Sequence, residues 1–210
     1  MDILKQISQF VVEGEPGELE ELMRRALDQG STARELLDGG LLDGMNQVGE
    51  LFREGEMFVP EVLMSARTMD LGMEIIKPLL GEGDVKVAGK IVVATVKGDL
   101  HDIGKKLVCM MLEGAGYEIH DLGVDVSPED VCRAVEEIRP DLVGMSAMLT
   151  TTMTAMKETT EALRAAGLYD SVKVMVGGAP INAGFAEEIG ANYSPDATGA
   201  VELANALMAS

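Results

Sequence analysis

The chain has 210 residues, 47% of them hydrophobic, and 36 acidic against 17 basic side chains give it a formal net charge of −19. That charge opposes long-range attraction to DNA, RNA or anionic lipid, so neither nucleic acid nor a membrane surface is expected as a partner. No apolar stretch reaches the roughly eighteen residues needed to cross a bilayer, and the opening Met1-Asp2-Ile3-Leu4-Lys5 lacks the regions of a signal peptide, which predicts a cytoplasmic protein.

The first 80 residues carry helical periodicity. Ile3, Leu4, Ile7, Phe10 and Val11 recur at three and four, and after a Pro16-Gly17 break Leu19, Leu22, Met23, Ala26 and Leu27 repeat the pattern. Thr32, three residues before Glu35, is a capping-box signature. It opens a third helix with Leu36, Leu37, Leu41, Met45, Val48 and Phe52, and Gly39-Gly40 predicts a kink or split within it. A fourth helix starts near Pro60, whose fixed φ suits a first turn, and turns Val62, Leu63, Ala66, Met69, Met73 and Ile76 inward. Four helices on short turns predict a bundle. Fifteen methionines suit adaptable packing, or a surface that must fit a large irregular ligand or several partners.

Residues 81–89 bear glycines and no sustained helical period, and read as a linker. Beyond them short β-branched runs alternate with amphipathic helices. Strands are predicted over 90–96, 118–121, 141–146, 172–176 and 191–193. Helices are predicted over 102–114, from Ser127-Pro128-Glu129 to Ile138, and over 152–166, 182–189 and 198–208. Such alternation gives right-handed crossovers and a parallel sheet covered on both faces. The expected architecture is α/β: a four-helix bundle over 1–83, a linker over 84–89, and a flavodoxin- or Rossmann-like five-stranded domain over 90–210. Cys109 and Cys132 lie in apolar helical patterns and read as buried reduced thiols.

The chemistry gathers at the carboxyl ends of the strands, where open parallel sheets bind ligands. Asp99-Leu100-His101-Asp102-Ile103-Gly104 follows the first predicted strand, Ser146-Ala147-Met148 the third and Gly177-Gly178 the fourth. In D-x-H-x-x-G a carboxylate stands two residues before a lone imidazole. A histidine that ligates a metal through one nitrogen needs the other held by a carboxylate or carbonyl, and Asp99 is the candidate to hold His101. His120 has no such company and reads as a strand-end residue.

These three elements, in this order and spacing, resemble the corrinoid-binding module of cobalamin-dependent methionine synthase and the small corrinoid proteins of anaerobic one-carbon metabolism. Thr95-Val96-Lys97-Gly98 before the motif, Asp121-Leu122-Gly123-Val124 after it, and Leu149-Thr150-Thr151-Thr152 extend the match. Met148 stands where the family has leucine, a substitution that conserves volume and hydrophobicity.

The resemblance implies that the chain binds cobalamin with the cofactor's own base displaced from cobalt and its nucleotide tail in the sheet domain. His101 would be the metal ligand, Asp99 would hold its outer nitrogen, and Thr152, where methionine synthase has serine, would extend the hydrogen-bond chain. Gly98, Asp102 and Ile103 complete the histidine loop. Ser146, Met148 and Thr150 would line the tail's slot, Gly104, Gly177 and Gly178 would admit it close to backbone, and Ala197 matches a further tail contact. The bundle would cap the methyl face, with Phe52 and Val59 turned toward it, although apolar residues at helical spacing equally read as plain core.

The implied function is a methyl-carrying corrinoid subunit. A partner methyltransferase would load it from a methyl ether, methylamine, methanol or betaine, with an O-demethylase system preferred, and an acceptor methyltransferase would pass the methyl to tetrahydrofolate or a thiol. A reductive activator would keep the corrinoid competent. A mutase component would share the histidine motif but need a large barrel domain, and a cobalamin-responsive regulator would need a basic DNA-binding segment. A flavodoxin-like signalling or flavin domain would stay colourless after reconstitution with hydroxocobalamin.

Overall fold

A computed structural model describes residues 2–80 and 88–209. They form two compact units, one helical and one α/β.

In the helical unit, α1 (Ile3–Glu13) starts where the Asp2 carboxylate accepts the Leu4 N–H, and stops at Gly14, whose φ of 69° suits the left-handed cap. Pro16 opens α2 (Pro16–Asp28), and the Thr32/Glu35 capping box opens α3 (Ala33–Leu36). Gly39-Gly40 does not break the third helix. A π-helical turn over Leu37–Leu42 runs without interruption into α4 (Asp43–Glu54). The wide turn keeps the backbone helical where two glycines have little propensity for the α form. The small residues here also let α1 approach. A Cβ at Gly40 would come within 2.6 Å of Ile7 Cγ2, and one at Gly44 within 2.7 Å of Val11 Cβ.

The fourth predicted helix is α5 (Val59–Ile76), with Pro60 in its first turn. Its buried stripe is Val62, Ser65, Ala66, Thr68, Met69, Gly72 and Ile76. Leu63, expected inside, is 42% exposed, because it stands about 100° around the helix from Val62, and Met73 is only half-buried. Two hydroxyls replace apolar groups on the stripe, and both are satisfied by backbone carbonyls, Ser65 donating across to Val12 of α1 at 3.1 Å and Thr68 to Met64 in its own helix at 2.9 Å.

Residues 84–87 of the expected linker lie outside the described residues. The α/β unit then follows the expected order, each element within a residue of its predicted ends: β1 (Lys90–Thr95), α6 (Ile103–Gly114), β2 (Glu118–Asp121), α7 (Pro128–Ile138), β3 (Leu142–Ser146), α8 (Met153–Ala165), β4 (Lys173–Gly177), α9 (Ala183–Ile189), β5 (Asn192–Tyr193) and α10 (Ala197–Met208). All strands pair in parallel in the order β2-β1-β3-β4-β5, which puts the switch in direction between β1 and β3. Thr95, Ser146 and Gly177 are register partners, so β1, β3 and β4 end level with one another.

Cys109 is buried, and that burial, reinforced by the Asp121 carboxylate, pushes its thiol up to about 12, so it is a neutral packing group. Cys132, expected buried, is only partly so. His120 lies within β2 and pairs with Glu118, Nε2 to Oε1 2.7 Å. Among the described residues no helix is long and apolar enough to cross a membrane.

Gly44→Ala is expected to cost about 1–3 kcal/mol through overpacking against α1. Gly17→Ala, whose Cβ would meet nothing within 4 Å, is expected to cost no more than about 0.5 kcal/mol. Urea unfolding followed by circular dichroism compares the two, and equal midpoints would contradict the close approach.

Candidate cofactor site

After β1 the backbone turns at Gly98, whose φ of 82° is left-handed, and delivers Asp99 into a position with no solvent exposure. Four donors meet its carboxylate. Oδ1 accepts the His101 N–H at 3.0 Å and faces His101 Nδ1 at 2.8 Å. Oδ2 accepts the Met148 N–H and the Thr152 hydroxyl, each at 2.7 Å. Thr152 is itself buried, at the start of α8. Thr95, which stands in the matched run before the motif but to which the sequence assigns no role, donates its hydroxyl to the His101 carbonyl at 3.0 Å and ties the loop to the end of β1.

Burial alone would raise the Asp99 carboxyl. The hydrogen bonds from Met148, His101 and Thr152 outweigh it and hold the group well below the ordinary carboxylate range. An ionised carboxylate only accepts, so His101 Nδ1 carries the hydrogen and Nε2 keeps its lone pair in the neutral ring. The His101 side chain is 56% exposed, and among the described residues Nε2 has no hydrogen-bond partner. Thr152, Asp99 and His101 therefore form one chain of hydrogen bonds that ends in an open nitrogen donor.

The same loops hold apolar side chains out in solvent. Leu100 is 71% and Ile103 81% exposed, and Val124, Met148 and Leu149 are also exposed. Asp102 turns to α6 instead, pairing with Lys106 at 2.6 Å, which lowers its carboxyl below the ordinary value. Gly104, in the first turn of α6, would carry a Cβ into open space. Ser146 ends β3, and Thr150 is exposed in the loop beyond it. At Gly177 a Cβ would meet the Ser194 carbonyl at 3.1 Å; at Gly178, with φ of 129°, it would stand 1.9 Å from the Ala147 carbonyl. Ala197 is buried at the start of α10. Phe52 and Val59 belong to the helical unit, Phe52 half-buried on α4 and Val59 exposed at the first residue of α5.

Two family profiles described as B12 binding domain match the chain, over residues 3–77 and 89–204. A corrinoid protein of Desulfitobacterium hafniense strain Y51 is 41% identical over 99% of this chain and 98% of its own length. The chain belongs to the cobalamin-binding corrinoid proteins of methyltransferase systems. Dimethylamine corrinoid protein 1 of Methanosarcina acetivorans is 44% identical over 83% of each chain. Among solved structures, a cobalamin-binding protein from D. hafniense DCB-2 superposes with a TM-score of 0.80, at 34% identity over 97% of this chain and 98% of that one. A chain of the methanol:cobalamin methyltransferase complex MtaBC from Methanosarcina barkeri gives 0.91, at 34% identity over 99% and 80%.

The residues of this corrinoid protein fit the cofactor. Among the described residues no three His, Cys, Asp or Glu side chains cluster to hold a metal ion, so a metal here must bring most of its ligands with it, as the ring nitrogens of a corrin do. One open imidazole nitrogen among exposed apolar side chains suits the face of such a ring. The Thr198 hydroxyl, in the first turn of α10, is the only buried side-chain polar atom among the described residues without a hydrogen-bond partner, and so has capacity left for a polar group of a bound molecule.

A carboxyl held low in the folded state stabilises it fully above the unfolded value of about 3.9, and that contribution fades as the pH falls below it. Apo-protein urea midpoints are therefore expected to drop more steeply from pH 5 to pH 3 in the wild type than in Asp99→Asn, which carries no titrating group at that position. Parallel curves would show that the four donors do not bias the carboxyl.

Proposed function

We propose that the protein is a methyl carrier in which His101, through Nε2, would ligate the cobalt of cobalamin in place of the cofactor's own base. The carrying observation is the Thr152–Asp99–His101 chain, which fixes the ring's tautomer and aims its free nitrogen out of the sheet edge. Bound cobalamin supplies a metal that accepts and surrenders a methyl group. The protein's part is to hold the ring and to manage a proton. The Asp99 carboxylate keeps the hydrogen on Nδ1, so Nε2 is the nitrogen left to face the metal.

The remaining residues keep the assignments that the resemblance implies. Ser146, Met148 and Thr150 line the slot for the nucleotide tail, and Ala197 touches it. Gly104, Gly177 and Gly178 leave room for close approach, while Gly98, Asp102 and Ile103 shape the histidine loop. Phe52 and Val59 shield the methyl face, and residues 84–89 link bundle and sheet domain. Bundle and sheet domain together, over 1–83 and 90–210, form the cytoplasmic carrier.

A substrate-specific methyltransferase loads the carrier, an acceptor methyltransferase unloads it to tetrahydrofolate or a thiol, and a reductive activator restores it. The relatives named for dimethylamine and trimethylamine, and the neighbour named for methanol, favour a methylamine or methanol donor over a methyl ether. Methyl transfer from a panel of methylamine, methanol, methyl ether and betaine methyltransferases to the reduced, reconstituted protein tests the donor. Transfer from none of them would contradict the carrier role.

His101→Ala is expected to weaken cobalamin retention and change the absorption spectrum of the bound cofactor. Asp99→Asn is expected to act less severely, by about 10–100-fold in affinity, and Thr152→Ser to stay close to wild type because the hydroxyl is kept. Spectra and binding unchanged in both His101→Ala and Asp99→Asn would remove the ligand assignment.

A further inference from the structure

The loop after β2 reaches back to the histidine loop at a single residue. Asp125 donates its N–H to the Asp99 carbonyl at 3.0 Å, and its carboxylate Oδ1 accepts the Gly98 N–H at 2.7 Å. Both ends of the Gly98-Asp99 step are thus held by one side chain and its own backbone. Asp125 has a φ of 54°, and the other non-glycine residue with positive φ among the described residues, Arg139, is explained as the C-cap of α7. No helix end accounts for Asp125. Its conformation is the one that lets N–H and carboxylate face the same partner segment.

The rest of that loop is anchored independently. Asp121 pairs with the buried Lys105 of α6 and accepts the Gly123 N–H at 2.9 Å. The Gly123 carbonyl accepts the Thr95 N–H at 3.0 Å, and Val126 bridges Val96. The clamp is therefore mounted on fixed supports. It grips the one position of the histidine loop with most backbone freedom, since Gly98 has no Cβ and turns at positive φ.

We propose that Asp125 is a positioning residue for the cobalt-ligating histidine: it fixes the backbone from which the Asp99 carboxylate reaches His101, and so sets how firmly Nε2 is presented to cobalt. This rests on the reading of His101 as ligand and adds what holds the holder. The side chain touches neither Nε2 nor the Asp99 carboxylate, so it acts through the position of Asp99 alone.

The test uses the full chain loaded with hydroxocobalamin and reduced by one electron. In that state, with the chain's histidines labelled with nitrogen-15 to set them apart from the cofactor's own base, the histidine nitrogen splitting in the electron paramagnetic resonance spectrum reports the fraction of cobalt bound by histidine. Asp125→Gly suits the positive φ and keeps the N–H but removes the acceptor for Gly98. Asp125→Asn keeps an acceptor oxygen and tolerates the left-handed conformation. The expected result is a ligation equilibrium about tenfold weaker in Asp125→Gly, the lower end of the effect of removing an outer partner, with Asp125→Asn restoring most of it. A wild-type fraction in Asp125→Gly overturns the proposal, and so does an equal loss in both variants. Failure of Asp125→Gly to bind cobalamin also overturns it, because a positioning residue leaves the pocket standing. His101→Ala is the reference: histidine nitrogen splitting that persists there removes the reading of His101 as ligand, a failure distinct from any at Asp125.

Discussion

A carboxylate with no exposure to water is tolerated only if the protein replaces its hydration, and Asp99 obtains that replacement from three places in the chain. Its own loop supplies the His101 N–H and ring, the loop after β3 supplies the Met148 N–H, and the start of α8 supplies the Thr152 hydroxyl. Removing any one would leave a buried charge short of a partner, so these segments are bound to move as one body. The orientation of the imidazole follows from that requirement. His101 is over half exposed, yet its ring nitrogen and its backbone N–H both end on the same fixed oxygen.

The sheet makes this arrangement cheap to build. Because Thr95, Ser146 and Gly177 are level in the register, the loops that follow start side by side and need no long excursion to meet. The close packing also changes the meaning of the double glycine. A side chain at Gly178 would collide with the Ala147 carbonyl, so this glycine is demanded by the contact between the loops after β3 and β4 before any ligand is considered. Gly104 is the opposite case, since a Cβ there would meet nothing within 4 Å and no packing contact demands the glycine.

Much of this was legible because it is local. The Thr32 capping box, the Ser127-Pro128 helix start, β-branched runs against a helical period of 3.6, and turn glycines place nearly every element. The D-x-H spacing places Asp99 under the imidazole because two residues of tight turn can do little else. What stayed hidden is long-range or depends on phase. Asp125 reaches the histidine loop through a hydrogen bond to Gly98, far from it in the chain, and reads as an ordinary loop acid. The π-helical turn at Gly39-Gly40 shifts the helical phase by an amount no fixed period anticipates, and Leu63 shows how one position of error carries an apolar residue from core to solvent. The bundle's pattern also could not separate Phe52 and Val59 from core residues, since a face kept for a cofactor and a face kept for packing use the same side chains.

The composition of the site bears on where selectivity lies. What the chain offers a metal at this sheet edge is one imidazole nitrogen, and what it offers a ring is apolar surface. None of these groups can tell a methyl bound for one acceptor from a methyl bound for another, or one donor from another. Relatives named for dimethylamine and trimethylamine and a neighbour named for methanol align with this chain at 44%, 40% and 34% identity, over 83% of it or more. A common carrier fold across such different donors is what a donor-blind site would permit. On this reading the sheet edge answers to two demands, the packing of one loop on another at Gly178 and the presentation of one imidazole nitrogen at His101, and neither demand distinguishes one donor from another.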